Sequence, residues 1–299
     1  MTKRKLYRRS DIIAFNSFGY VFIAIVALLG ILPFIMLISG SLTSERYIIN
    51  HGYSIIPFEF STAAYAAIFK QPQSIINSYG VTIFITVVGT VCSLFLTSMA
   101  SYVLQRKDFE WRNVFSYFIY FTTLFNGGLT PWYILVKKMG MGNTLFALII
   151  PNLFNVFHIL IMRNYMRGIP HEITESAKVD GANDFIIFLR LILPISKPVL
   201  ATIGLFTGLV YWNEWYNTML FISNENLYPL QYYLYNMLNS AEAMRNLLQY
   251  AGAPVDSVSL PAESTKLAMT IVAAGPILLL YPFMQKYFVK GITIGAVKG

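Results

Sequence analysis

The sequence predicts an all-α, polytopic membrane protein with six transmembrane helices, and three observations carry that prediction. Of 299 residues, 56% are hydrophobic and only 12% are charged, where a soluble domain averages about 25% charged. Long intervals contain no charged residue at all. The 22 Lys and Arg residues gather in short patches between those intervals, a pattern that fits membrane topology better than a nucleic-acid-binding surface.

A helix needs about 20 apolar residues to cross a ~30 Å hydrocarbon core, so the charge-free intervals define the spans. The first is 12–44, preceded by Lys3, Arg4, Lys5, Arg8 and Arg9. A basic stretch before an apolar run can mark a cleaved signal peptide, but this interval far exceeds such a peptide's apolar region. It is read as a retained helix. The second, third and fourth spans are 71–105, 113–136 and 139–162, all without Asp, Glu, Lys or Arg. The fifth runs from about 198 to 222 and is interrupted only by Glu214; the sixth lies between Lys266 and Lys286. No repeat and no low-complexity linker divides the chain. It reads as one transmembrane domain, 1–299, with loops near 163–197 and 223–265.

Orientation follows from the basic residues. With the N-terminus inside, 16 of the 22 fall on inside segments, among them Arg106, Lys107, Arg112, Arg163, Arg167, Lys178 and Lys286. Only Arg46, Lys70, Lys137, Lys138, Arg245 and Lys266 fall outside. Both termini and the 163–197 loop are therefore expected in the cytoplasm, and 223–265 outside.

Within the cytoplasmic loop, Pro170 and Glu172 suit the first turn of a helix, and Gly181 suits its exit. A helix over 170–180 would be roughly 16 Å long. Asn183 or Asp184 can open a second short helix that Pro194 closes. The stretch Glu175-Ser176-Ala177-Lys178-Val179-Asp180-Gly181, with Leu191-Ile192-Leu193-Pro194 ten residues beyond the glycine, resembles the E-A-A-x3-G-x9-I-x-L-P motif of ABC importer permeases. Ser176 replaces the second alanine and Leu191 the isoleucine; both stay small or aliphatic.

The resemblance extends along the whole chain. Tyr228-Pro229-Leu230-Gln231, and the end from Tyr281 through Gly295-Ala296-Val297-Lys298-Gly299, are similar to carbohydrate-importer permeases related to the smaller maltose permease subunit. Within that group the chain looks like the oligosaccharide or aldouronate branch, common in Gram-positive bacteria. The resemblance implies the type I importer architecture, a homologous second permease subunit, two ATPase subunits and an extracytoplasmic solute-binding protein. It implies that Glu175, Ser176, Ala177, Asp180 and Gly181 couple to the ATPase, and that the tail Val297, Lys298, Gly299 reaches between the ATPases. The outer loop would reach the binding protein. Its residues 231, 234, 235 and 238 recur at helical spacing, followed by Ala251-Gly252-Ala253-Pro254.

ATP and Mg would be used by the partners, because no G-x-x-x-x-G-K-[ST] phosphate loop occurs in this chain. No cofactor or metal is expected on it: His51, His158 and His171 are scattered, and the lone Cys92 lies in an apolar run. Neither rival class is well served. A secondary transporter would need inverted repeats and polar residues near the midplane. A membrane enzyme acting on glycans would need convergent acids, yet Glu225, Glu242, Asp256 and Glu263 are dispersed. A related importer for a non-sugar solute is the nearer alternative.

For the substrate pathway the candidates are Trp212, Asn213, Trp215 and Tyr216. On a continuous helix, Trp212, Trp215 and Tyr216 would share one face, and flat aromatic faces suit sugar C–H surfaces. An aromatic belt at the membrane interface is the competing reading, and it is favoured by the depth of Glu214, near the outer boundary of the core. Glu214 lies beside them, about 16 residues into its span. Gly204 and Gly208 form a G-x-x-x-G that permits close helix approach within the permease pair.

Overall fold

The computed structural model describes residues 9–70, 72–250 and 263–296. All regular elements among them are helical, and the chain divides into two compact units, 1–70 with 238–274 and 71–237 with 275–299.

In the first unit, α1 (Arg9–Ser41) is a 33-residue helix, apolar on every face. From Ile12 to Ile35 each large apolar side chain is exposed, as expected of a helix whose solvent is lipid. Its last turn changes character. Ser39, Ser41 and Thr43 are buried, with Ser41 Oγ donating to Ile38 O and Thr43 Oγ1 to Ser39 O, each at 2.7 Å. Two short helices follow, α2 (Glu45–His51) and α3 (Ala63–Ile68).

The second unit is built on α4 (Pro72–Gln105), 34 residues long. Then come α5 (Arg112–Phe121), α6 (Leu129–Lys138), α7 (Phe146–Ile149), α8 (Val156–Met166), α9 (His171–Val179), α10 (Asp184–Ile187), α11 (Leu193–Ile195), α12 (Lys197–Trp212) and α13 (Tyr216–Phe221). The helix α14 (Leu230–Tyr250) leaves this unit for the first, and α15 (Glu263–Ala296) returns.

Helices α8 and α12 pack on α4 through small and hydroxylated residues. Ser93 Oγ donates to Leu153 O at 2.8 Å and Ser101 Oγ to Ile159 O at 2.9 Å, satisfying hydroxyls where water is excluded. Gly204 and Gly208 face α4: a Cβ on Gly204 would stand 3.2 Å from Leu94, and one on Gly208 3.5 Å from Thr90. The G-x-x-x-G thus serves packing inside this chain.

The span boundaries differ from expectation where the backbone breaks without any charge. Two helices, Ile12–Ser41 and Pro72–Gln105, are individually long and apolar enough to cross a membrane. Counting each of two bent pairs as one span raises this to four among the described residues. The expected third span, 113–136, is two helices separated by residues 122–128. Asn126 Oδ1 accepts the Gly128 N–H at 2.8 Å, and Gly128 has φ +85°, a side-chain-to-backbone turn that competes with helix. The expected fourth span bends by 47° between Asn152 and Val156, where Asn155 caps α8 by accepting the His158 N–H. The expected fifth, 198–222, stops at Trp212 and restarts at Tyr216.

Candidate functional site

The loop between α8 and α12 forms one structured projection. Pro170, expected in the first turn of α9, is its N-cap instead, because its ψ of 135° is extended. At the other end the expectation for Gly181 holds: it has φ +79°. Its N–H donates to Lys178 O at 3.0 Å, and the Ala182 N–H donates to Ala177 O at 2.9 Å. These two bonds close a Schellman motif, which satisfies the last carbonyls of α9 and reverses the chain. Asn183 then caps α10, its Oδ1 accepting the Ile186 N–H at 2.9 Å.

Pro194, expected to close the second helix, lies within its last turns. Residues Phe188–Ile192 widen into a π-helix, in which the Leu193 N–H reaches back to Phe188 O. Proline has no N–H and its ring collides with the carbonyl four residues earlier. The wider turn accommodates both. The chain then turns by 81° into α12.

The motif residues divide by exposure. Ala177 is buried with Ile187, Phe188 and Ile192, against Tyr102 of α4, Met162 and Met166 of α8, and Val199 and Ile203 of α12. Glu175, Ser176 and Asp180 are exposed. Glu175 lies one turn from His171, with Oε1 3.1 Å from Nδ1. Val179 is 87% exposed and Phe185 54%, so the tip presents apolar side chains beside carboxylates. An ion cluster braces the base: Lys178 Nζ is 3.2 Å from Asp108 Oδ2, and Arg106 pairs with both Asp108 and Asp184. Nothing in the sequence motif pointed to Arg106 or Asp108, because the loop residues they meet, Asp184 and Lys178, are distant in the chain, Lys178 by 70 residues from Asp108.

The aromatic candidates are not on one helix face, because the helix ends between them. Asn213 Nδ2 donates to Leu209 O at 2.8 Å and α12 stops. Glu214, 6% exposed, precedes the N-cap Trp215 and satisfies a free N–H in the first turn of the next helix: its Oε1 accepts the Asn217 N–H at 2.8 Å. Its Oε2 accepts from Asn217 Nδ2 at 2.9 Å and Asn152 Nδ2 at 3.3 Å. Trp212 is buried, whereas Trp215 and Tyr216 are about 40% exposed. Trp215 leans on Tyr235, ring centroids 5.2 Å apart. Tyr216 instead lines a cavity of about 690 Å³ with Asn126, Trp132, Phe125, Thr122 and Thr123. Most of that lining comes from the break at 122–128, which the charge pattern hid. The tail Val297, Lys298, Gly299 and the stretch 251–262 lie outside the described residues. Among the described residues no cluster of His, Cys, Asp or Glu suited to a metal ion occurs.

Comparison with known proteins gives a consistent set of relatives. The chain is 38% identical over 286 residues to the polygalacturonan/rhamnogalacturonan transport system permease protein YtcP of Bacillus subtilis (strain 168), covering 95% of this chain and 98% of that one. It is 37% identical over 285 residues to protein LplC of the same organism, covering 95% of each. Among solved structures it matches a chain of a bacterial ABC transporter involved in the import of the acidic polysaccharide alginate. The TM-score is 0.78 at 31% identity, over 95% of this chain and 100% of the other. No family model matches the chain.

Proposed function

The chain belongs to the permease subunits of ABC carbohydrate importers, and from that premise we propose how its parts divide the work of import. The chain forms half of a translocation pathway for an oligosaccharide, beside a homologous permease subunit. Two separate ATPases supply the energy with ATP and Mg, and an extracytoplasmic binding protein delivers the sugar. The chain sits in the bacterial cytoplasmic membrane with both termini inside, and performs no covalent chemistry itself.

The observation that carries the coupling reading is the split of the motif helix into a buried and an exposed side. Ala177 belongs to the same buried cluster as Met162, Phe188 and Ile203, so a push on the helix reaches the core shared by α4, α8 and α12. Glu175, Ser176 and Asp180 are free to meet an ATPase, and Gly181 fixes the turn that makes the element rigid. A packed core transmits such displacement because it has few ways to absorb it. The outer helix α14 carries the expected contact with the binding protein, and the tail 297–299 the expected contact with the ATPases.

For the pathway, Trp215 and Tyr216 supply exposed rings, and the cavity beside Tyr216 adds Trp132 with the polar groups of Asn126, Thr122 and Thr123. Rings with nearby hydroxyl and amide groups suit a carbohydrate. Trp212 and Asn213 contribute indirectly, Trp212 as a buried packing residue and Asn213 through its hydrogen bonds to Leu209 O and Gln231.

The test is Glu175→Arg in the assembled importer. Membrane insertion and assembly persist, while substrate-stimulated ATP hydrolysis is lost. Normal stimulation together with normal transport would refute the assignment.

A further inference from the structure

Beside the base of α9 the second unit holds a concentration of cations that its own carboxylates do not neutralise. Arg163 lies in the last turn of α8, Arg167 follows one turn later as the C-cap, and Arg112 is the first residue of α5. The positive charges of Arg167 and Arg112 both bear on Arg163. Its Nε is buried and has no hydrogen-bond partner. The helix dipole favours cations at the end of α8 but opposes Arg112 at the start of α5. Two of the three arginines, Arg112 and Arg167, line a cavity of about 750 Å³ together with Lys107 and Glu172; Arg163 is outside that lining and adds its charge to theirs. The remaining acid of that lining, Asp108, is already paired with Arg106 and Lys178.

Burying a guanidinium nitrogen among like charges is costly, and an anion held between Arg112 and Arg167 relieves the repulsion that both exert on Arg163. We propose that the Arg112–Arg163–Arg167 cluster binds the headgroup of an anionic phospholipid from the cytoplasmic leaflet. Apolar surface on the same two helices favours a lipid over a soluble phosphate. Helix α5 buries none of its residues and exposes Phe115 and Phe118 just beyond Arg112. Phe157 and Leu160 are exposed on α8 one to two turns before Arg163. Cations at a helix end with an apolar flank beside them fit both halves of an amphiphile. The lipid would neutralise the wall against which α9 starts, since Pro170, His171 and Thr174 line the same cavity. The assignment of a leaflet rests on the cytoplasmic reading of this loop; binding itself does not.

The experiment titrates short-chain phosphatidylglycerol, and separately phosphatidylcholine, into the detergent-purified assembled importer without nucleotide. Phosphatidylglycerol binds more tightly than phosphatidylcholine, and inorganic phosphate does not displace it. Each arginine neutralised, as Arg163→Gln or Arg167→Gln, weakens binding about fivefold. Arg167→Lys retains most of the affinity, which separates loss of charge from loss of fold. Equal binding of the two lipids overturns the proposal, as does displacement by inorganic phosphate, which would mark a soluble-anion site. So does loss of the ATPase subunits from Arg163→Gln with lipid affinity unchanged, which would assign the cluster to a protein contact. Because the readout needs no ATP hydrolysis, a failed coupling assignment leaves this result standing.

Discussion

Arg106 Nη1 lies 2.5 Å from Asp184 Oδ1, joining the residue that follows α4 to the first residue of α10. Lys178 of α9 stands 3.9 Å from the same oxygen and 3.2 Å from Asp108. Two cations and two carboxylates thus join the longest helix of the second unit to both helices of the projecting loop. Arg106 is mostly buried, and Asp184 is half exposed. Exposed pairs contribute about 0.2–1 kcal/mol each, so the cluster matters for rigidity more than for stability. Asp184→Arg should leave the unfolding midpoint nearly unchanged and lower substrate-stimulated ATP hydrolysis severalfold. Combining it with Arg106→Asp should restore most of the loss. Absence of any rescue would show that the pair is incidental.

The same cluster predicts a response to salt without one to neutral pH. The guanidinium of Arg106, hydrogen-bonded to Asp108, holds that carboxyl well below the usual carboxylate range. A depressed folded value means its contribution is present above the unfolded value of about 3.9 and fades only as pH falls through the lower folded one. Stimulated hydrolysis should therefore lack an Asp108-dependent step above about pH 5. Raised ionic strength should weaken it, because the Debye length contracts to about 3 Å at 1 M salt. Comparing wild type with Asp108→Asn across pH and salt checks both signs.

Much of the coupling loop was legible in the sequence, because its signals are local. Gly181 announces a left-handed exit and Asn183 a cap, each within a few residues of its partner. The pathway was less legible for a physical reason. Absence of charge measures compatibility with lipid, not continuity of the backbone. Residues 122–128 carry no charge and so look like span, yet Asn126 and Gly128 break the helix there. The break at Asn213 is hidden in the same way, so Trp212 and Trp215 only seem to share a face. The π-turn before Pro194 reflects how one ring avoids one carbonyl, which no residue pattern states.

Gly89 on α4 is closely covered by Tyr211 of α12. A Cβ at this position would lie 2.5 Å from Tyr211 Cζ. The ring cannot easily retreat, since Tyr211 is fully buried and its hydroxyl donates to Ile149 O at 2.9 Å. Gly89→Ala should therefore destabilise the assembled protein by about 1–3 kcal/mol, the range for overpacking a core. Gly208→Ala, whose nearest neighbour would be Thr90 at 3.5 Å, should cost far less. Thermal unfolding of the purified complex reads both, and equal midpoints would show that the ring yields.

Glu214 gives the sharpest separation between a structural and a substrate-binding carboxylate. Both of its oxygens are used inside the chain: Oε1 takes the backbone N–H of Asn217, and Oε2 takes the side-chain amides of Asn217 and Asn152. It therefore starts α13 and anchors Asn152 to it, which orients Tyr216 at the first position of that helix. Glu214→Ala removes that acceptor and leaves those amides unpaired in a buried place, so a loss of about 1–3 kcal/mol is expected. Glu214→Gln keeps one acceptor for the Asn217 N–H but turns a second amide donor toward the other two, and should fall between wild type and alanine. Tyr216→Ala, by contrast, removes a half-exposed ring and should lower uptake with little change in unfolding midpoint. If Glu214 instead contacts sugar, the pattern inverts: Glu214→Gln would raise the substrate concentration needed for half-maximal uptake while the midpoint stays at the wild-type value. Measuring uptake and thermal unfolding for all three variants distinguishes the two, because only the structural role couples the transport defect to a loss of stability.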